Sequence, residues 1–524
     1  MEKIDFTGVS PEISEYISSL EKTIEDQSKR IDNLTEMLSK IQKGIYGQSS
    51  EKTRYVLGED SDQVSLFNEA EQESNSNAPE PKPGTLVAGH TRKSKRTKEE
   101  LAAELPVEEI ICDLPKEEQE CNLCGKELRY LGKEHVRDEL EIIPAQIRVL
   151  RYVRYNYVCT GCEQDTTKAN IVKSPVLEPV MKKSLASPSS VAHVMYQKYV
   201  NATPLYRQEK DWENQGVRLN RATLANWIIR SSNSWFRPIY ELMKNYLVER
   251  KVVHADETVV QVLKEPGKKA STESRMWVYS SGNTGDPPII LYDYQPTRSG
   301  KHAKRYLEGF GGYLQTDGYA GYNAVPNVTH CGCWAHQRRK YEEALPRGKV
   351  EDSKSAIGLN YCNQLFELEK QWADLTPELR LKQRQEQSKP VLDAYWAWLE
   401  SVNPLQGSNL GKAIQYSINQ KERLNAFLLD GRIEISNNRA ENVVRPFAIG
   451  RKNWIFSDTQ KGADASATVY SIIESSKANG LNPYNYLVYL FKQLPNLMDL
   501  SEQSLEDFLP WSSTLPDYCK NKRN

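Results

Sequence analysis

The clearest pattern of apolar positions lies at the start of the chain. Ile13, Ile17, Leu20, Ile24, Gln27, Ile31, Leu34, Leu38, Ile41 and Ile45 follow one another in steps of four and three. That is a 3.5-residue repeat, which winds helices into a left-handed supercoil. Ile17, Ile24, Ile31 and Ile45 fall at a and Leu20 and Leu34 at d, a choice that favours two parallel strands. Gln27 is the polar core position and a candidate for fixing register. The same stripe would also serve an amphipathic helix packed on its own chain. A coiled-coil dimerisation helix is the expectation for residues 1–47. Periodicity then stops. Residues 48–104, with EAEQESNSNAPEPKPG, carry too few apolar groups to offset ordering and read as a flexible linker. Arg92, Lys93, Lys95, Arg96 and Lys98 near its end form a basic tract that either holds phosphates or is simply solvated.

Residues 105–172 form a small module in which IRVLRYVRYNYVC (147–159), β-branched and aromatic, predicts a strand. Residues 173–250 read as helical. LYRQEKDWENQGVRLNRATLANWI gives a helix, a break near Gly216 and a second helix begun around Asn220. This is the layout of a helix-turn-helix that reads DNA, and equally of many helix pairs meeting at a glycine turn. From 251 to 345 the period changes to strands: KVVHADETVVQVL, MWVYSS, PIILYDY, GYLQTD and NVTHC, with a helix over 299–309. Three strands in succession, a helix and a fourth strand is the order of a ribonuclease-H-like α/β sheet. Residues 346–433 turn helical again and read as an all-α insertion. The core resumes over 434–480, and 481–524 is a C-terminal segment. The expected class is therefore multidomain: an α/β ribonuclease-H-like core with a helical insertion, preceded by a coiled coil and a small zinc-ribbon-like module.

Composition narrows the function. The 524 residues hold 69 Lys+Arg against 70 Asp+Glu, a net charge of −1, with 39% hydrophobic residues, which suits a chain that buries a core. Without a long apolar run or a signal-like start, the chain reads as cytosolic, with no membrane partner. Near-zero net charge leaves nucleic acid open, because local clustering of basic residues decides that. Nine cysteines include Cys121-x-x-Cys124 and Cys159-x-x-Cys162. Two such pairs offer one Zn²⁺ four tetrahedral thiolates, a closed and hence structural site, whereas either pair alone would also suit redox chemistry. Cys112, Cys331, Cys333, Cys362 and Cys519 read as ordinary thiols.

Two acids stand out. Asp256 sits within an apolar strand, where a charge is costly unless paired or metal-bound, and Asp317 ends the strand GYLQTD. In the expected sheet their strands are neighbours, and a hard divalent cation relieves the repulsion of adjacent carboxylates. Each also has a bland reading, as a hydrogen-bonded core acid and a turn residue. In ISNNRAENVVRPFAIGRKNWIF, Asn437 or Asn438 would cap a helix carrying Glu441, with Arg445 one turn on as a surface ion-pair partner. Arg439, Arg445, Arg451, Lys452 and Trp454 form a basic-aromatic cluster suited to phosphates and bases, and Arg338, Arg339 and Lys340 in CWAHQRRKY form another. His254 faces the same side of its strand as Asp256, in packing, in hydrogen bonding behind the site, or on a phosphate. His336 is equally open.

These motifs together resemble the transposases of the insertion sequence 66 family, bacterial mobile-element enzymes of the DDE type. The likeness spans GIYGQSSEK, LPVEEIICDLP, HADET, QTDGYAGYN, CWAHQRRKY, NNRAENVVRPFAIGRKNWIFS, ANGLNPYNYLVYLFKQLP and FLPW, in order. Residues 48–104 share little of it, and Asn442 stands where members often carry a basic residue. The resemblance implies a catalytic triad of Asp256, Asp317 and Glu441 that binds Mg²⁺ (or Mn²⁺) by a two-metal mechanism. It implies double-stranded DNA at element ends and target as substrate, with water freeing a 3′-OH that then attacks a target phosphodiester. Pairing two ends calls for a dimer or higher assembly, and small accessory proteins of the same element often accompany the family. The alternative is a catalytically silent relic that binds DNA as a regulator, and retention of all three acids favours the enzyme. An unrelated metal-dependent nuclease would lack the zinc module and zipper in this order.

Overall fold

The computed structural model describes residues 146–158, 171–346, 353–405 and 407–521, with Lys126 and helical residues between 16 and 27. The chain divides into two units, residues 52–151 and the remainder. The four cysteines expected to hold zinc, the linker with its basic tract, and most of the heptad repeat lie outside the described residues. Within 16–27 the repeat is helical, and Leu20 and Ile24 are exposed on it. Among the described residues no helix is long and apolar enough to cross a membrane.

The predicted strand over 147–159 is shorter than its β-branched composition suggests. Only β1 (Asn156–Val158) pairs, antiparallel with β2 (Ile171–Lys173), while residues 147–155 are exposed and form no regular element. Four helices follow: α1 (Pro188–Tyr199), α2 (Leu205–Asn214), α3 (Arg221–Ser231) and α4 (Arg237–Val248). Gly216 between α2 and α3 has φ +85°, a left-handed turn that glycine adopts without steric cost, and Asn220 caps α3 by accepting the Thr223 N–H at 2.8 Å. Leu224, Trp227 and Ile228 turn one face of α3 into the main core.

The sheet holds β3 (Val252–Lys264), β4 (Glu273–Ser281), β5 (Ile290–Gln295), β6 (Tyr313–Gln315) and β7 (Thr329–Cys331) in the order β5-β4-β3-β6-β7. The first three strands in sequence are antiparallel, and β3-β6 and β6-β7 are parallel. α5 (Lys301–Tyr306) lies between β5 and β6 in the chain. A sixth strand, β8 (Phe456–Thr459), was not apparent in the sequence; it pairs parallel with β3 at Gln261–Lys264. One edge of β3 therefore carries β6 at Val252–His254 and β8 at Gln261–Lys264, and no strand between them.

That gap is crossed by a helix. Residues 334–433 first form α6 (Trp334–Glu343), α7 (Lys354–Gln371), α8 (Pro377–Gln383), α9 (Lys389–Ser401), α10 (Asn409–Asn419) and α11 (Lys421–Asn425). Their apolar faces form a hydrophobic cluster of their own around Trp334, Tyr341, Leu365, Tyr395 and Phe427. Within it the Arg384 side chain is fully buried, bidentate to Glu369 at 2.7 and 2.6 Å and donating to the carbonyls of Phe427, Asp430 and Ile433 at 2.7–2.9 Å. α12 (Asn438–Trp454) then packs on β3, and α13 (Gln460–Ala478) and α14 (Pro483–Gln493) close the main core.

Candidate active site

Three elements deliver the three acids. Asp256 is on β3, four residues into the strand. The parallel register runs Val252↔Tyr313, Val253↔Leu314 and His254↔Gln315, so Asp256 and Asp317 each lie two residues beyond the last registered pair. Glu441 occupies the first turn of α12. Asp256 senses both partners. Burial pushes its carboxyl up to about 7, and the charges of Glu257, Asp317 and Glu441 push the same way, against one hydrogen bond from the Glu257 N–H at 2.8 Å. Asp317 accepts the Tyr319 N–H at 2.9 Å, and its carbonyl accepts the Tyr416 hydroxyl at 3.0 Å, which ties the loop after β6 to α10. Glu441 faces α6: Oε1 is 3.7 Å from His336 Nδ1 and Oε2 is 3.6 Å from the Arg339 guanidinium. Burial holds the His336 imidazole below its ordinary value, while Glu441 and Asp317 pull it up.

Asn437 carries the connection between α12 and the sheet. The sequence suggests a helix cap, yet its side chain makes no capping bond. Nδ2 donates instead to the Ala255 carbonyl at 3.0 Å, Oδ1 meets His254 Nδ1 at 3.1 Å, and its N–H donates to Cys333 Sγ at 3.2 Å. Ala255 lies in the strand-free edge of β3, where an unpaired buried carbonyl would be costly. Asn437 satisfies it and so ties the start of α12, four residues before Glu441, to the strand that carries Asp256. Farther along, the Arg451 guanidinium donates to the Val259 carbonyl in the same gap. His254 is thus a fully buried residue hydrogen-bonded behind the site.

On the other side, the Glu257 side chain is nearly fully buried against the Arg298 guanidinium and the Tyr322 hydroxyl, the latter at 2.6 Å. Burial raises this carboxyl, and those two partners oppose the rise. Arg298 also stacks 3.9 Å over the Tyr319 ring, so one guanidinium links β3 to the loop that carries Asp317. Sequence reasoning passed over Asn437 as a bridge, Cys333, and the Glu257–Arg298–Tyr322 cluster. The Cys-x-x-His spacing of Cys333 and His336 was the available signal for Cys333.

The basic residues do not form one surface. Arg339 and Arg445 are exposed, as is Lys452, near the end of α12. Arg338 is bound to Asn363 and Glu342, Arg439 to Glu434, and the Lys340 ammonium sits 5.0 Å over the Tyr416 ring. Trp454 belongs to an aromatic cluster with Tyr199, Phe447 and Tyr470, and the Lys198 ammonium lies 4.1 Å over its ring.

With this geometry in place, comparison with known proteins adds the lineage. The model of the transposase IS66 family matches residues 183–465, more than half of the chain and inclusive of all three acids. The chain belongs to the IS66 transposase family. A model described as the zinc-finger binding domain of transposase IS66 matches 118–163, which contains all four paired cysteines, and the IS66 C-terminal element matches 471–511. A fourth, described as transposase C of IS166 homeodomain, matches 33–110. That last match takes in residues 48–104, where the sequence showed little resemblance. Among the relatives of this IS66 protein are three from Sinorhizobium fredii (strain NBRC 101917 / NGR234). Uncharacterized protein y4hP is 30% identical, over 74% of this chain and 72% of its own. Uncharacterized protein y4qI is 27% identical over 95% and 92%, and uncharacterized protein y4jD 30% over 74% and 77%.

Proposed function

We propose that the protein is a DDE-type DNA transposase whose reacting centre is Asp256, Asp317 and Glu441, on a ribonuclease-H-like sheet. The observation that carries this is the convergence of three acids from distant elements: the parallel register of β3 and β6 places Asp256 and Asp317 at matching positions, and Asp256, raised by burial, is raised further by the charges of Glu257, Asp317 and Glu441. An all-oxygen donor set that repels itself fits a hard divalent ion such as Mg²⁺. Divalent cations held there would supply charge stabilisation at the scissile phosphate and lower the pKa of an attacking hydroxyl. The strand order, with antiparallel β3-β4-β5 and parallel β6 and β7, supports the fold reading.

The chain's own groups then have distinct work. Asp256, its carboxyl held up by burial, would give up its proton when a divalent cation is bound beside it. Asn437 keeps Glu441 at a fixed distance from β3, which in-line displacement requires. Arg339 offsets part of the Glu441 charge and, with exposed Arg445 and Lys452, offers phosphate contacts along the approach to the centre. Water attack at the element end frees a 3′-OH, and attack by that hydroxyl on a target phosphodiester completes transfer. Both are phosphoryl transfers, and one centre serves both. The zinc-finger region, holding Zn²⁺ on Cys121, Cys124, Cys159 and Cys162, contributes DNA binding. The exposed Leu20 and Ile24 of the heptad helix meet a second copy in the dimer that pairs two ends.

The test is a labelled duplex bearing the element end, incubated with Mg²⁺ or EDTA beside Asp317→Ala. Metal-dependent nicking at the boundary, lost in the variant, is expected. Nicking that survives in Asp317→Ala would overturn the assignment, and binding without nicking in either protein would favour the DNA-binding relic.

A further inference from the structure

Cys333, His336 and Glu441 each offer one ligand atom, and these atoms lie within 4.8 Å of one another. Cys333 is the residue that opens α6 and His336 follows it by three, so thiol and imidazole share one face of the first turn. Glu441 meets them from the first turn of α12. Backbone bonds hold the two turns together: Trp334 N–H to the Ile435 carbonyl at 3.0 Å, and Asn437 N–H to Cys333 Sγ at 3.2 Å.

Two of the three donors are in an unusual condition. His336 Nδ1 and Glu441 Oε1 are both buried and both lack a hydrogen-bond partner. They face each other at 3.7 Å, too far for a hydrogen bond. That separation is close to the roughly 3.4–3.6 Å that tetrahedral zinc imposes on its ligands, given bonds of about 2.0–2.3 Å. Orphaned buried acceptors are rare, and a pair of them aimed at one point beside a thiol has a ligand's shape.

We propose that Cys333, His336 and Glu441 form a second cation site, selective for a thiophilic divalent ion of the Zn²⁺ class, and that it shares Glu441 with the carboxylate centre. A thiolate and an imidazole favour zinc over magnesium, which takes oxygen ligands. An ion bound there engages Glu441 from the α6 side and withdraws it from Asp256 and Asp317. The site is therefore inhibitory, and a trace of zinc opposes abundant magnesium. Its inhibitory half rests on the transposase reading, while its metal-binding half does not.

The experiment uses the full chain with its zinc finger loaded, titrated with Co²⁺, beside Cys333→Ser and His336→Gln. One equivalent of Co²⁺ is expected in the wild type, with the near-ultraviolet absorption of a thiolate-cobalt bond. Cys333→Ser should lose that band, and His336→Gln should weaken binding at least tenfold, at unchanged melting temperature. Identical titrations of wild type and Cys333→Ser would overturn the proposal. In the second arm, Zn²⁺ is added to the Mg²⁺-supported nicking reaction. The concentration that halves each protein's own rate should rise at least tenfold in Cys333→Ser; equal sensitivity would overturn the inhibitory role. A protein that never nicks DNA would count against the transposase reading alone, because the Co²⁺ titration still decides the site.

Discussion

Two of the charge clusters among the described residues are built on opposite principles. In the helical insertion, all five donor hydrogens of the Arg384 guanidinium find acceptors, two on Glu369 and three on carbonyls. In the proposed carboxylate centre, the charges of Asp317 and Glu441 both raise Asp256, and His336 Nδ1 and Glu441 Oε1 have no hydrogen-bond partner. The first cluster is complete without a ligand and holds α7, the turn after α8 and the end of the insertion in one arrangement. The second would be completed by a bound cation. Satisfied buried charge marks architecture, and unsatisfied buried charge marks chemistry.

The sharpest way to break this contrast is Asp256→Asn. Strand nicking should fall roughly 10⁴-fold, about 5.5 kcal/mol of barrier, in a gel assay of the labelled element end. The fold should not suffer. A carboxyl raised to about 7 in the folded state binds its proton more tightly there than when unfolded. Wild-type stability therefore falls as pH climbs from about 4 to 7. The asparagine variant escapes that fall, so its melting temperature should exceed the wild type's by more at pH 8 than at pH 5.

Arg384→Met should do the reverse. It leaves Glu369 and three carbonyls without their partner and should cost about 3–5 kcal/mol in denaturant unfolding. Asn437→Ala stands between the two clusters in kind. Losing the bonds to Ala255 and His254 should cost about 2–3 kcal/mol, and nicking should drop as Glu441 loses its fixed place. Smallest of all, Mg²⁺ should raise the wild-type melting temperature by a few degrees and leave that of Asp256→Asn unmoved, read by calorimetry.

Much of this was written in the order of residues. Alternation in KVVHADETVVQVL and the short apolar runs after it place β3 to β7, and with them the adjacency of Asp256 and Asp317. β8 escaped because FSDT is short, polar and largely exposed, and is entered through Ile455, a β-branched residue at φ +67°. Arg451 and Trp454 look like surface groups in a basic run. Only the tertiary structure shows one donating to a strand edge and the other covered by Lys198. Asn437 was legible as a helix start but not as a bridge, since the partners of its side chain lie more than 180 residues away in sequence.

That distance has a consequence for the order of assembly. A chain emerging from the ribosome completes the sheet strands bearing Asp256 and Asp317 early, and then spends the whole insertion before Asn437 appears. Closing so long a loop is slow to be rewarded, because its entropy is spent before its contacts form. The bond from Asn437 to Ala255 is thus a late latch. If the proposed triad is the reacting centre, nascent and truncated chains hold two of its three acids and should leave the DNA around them uncut.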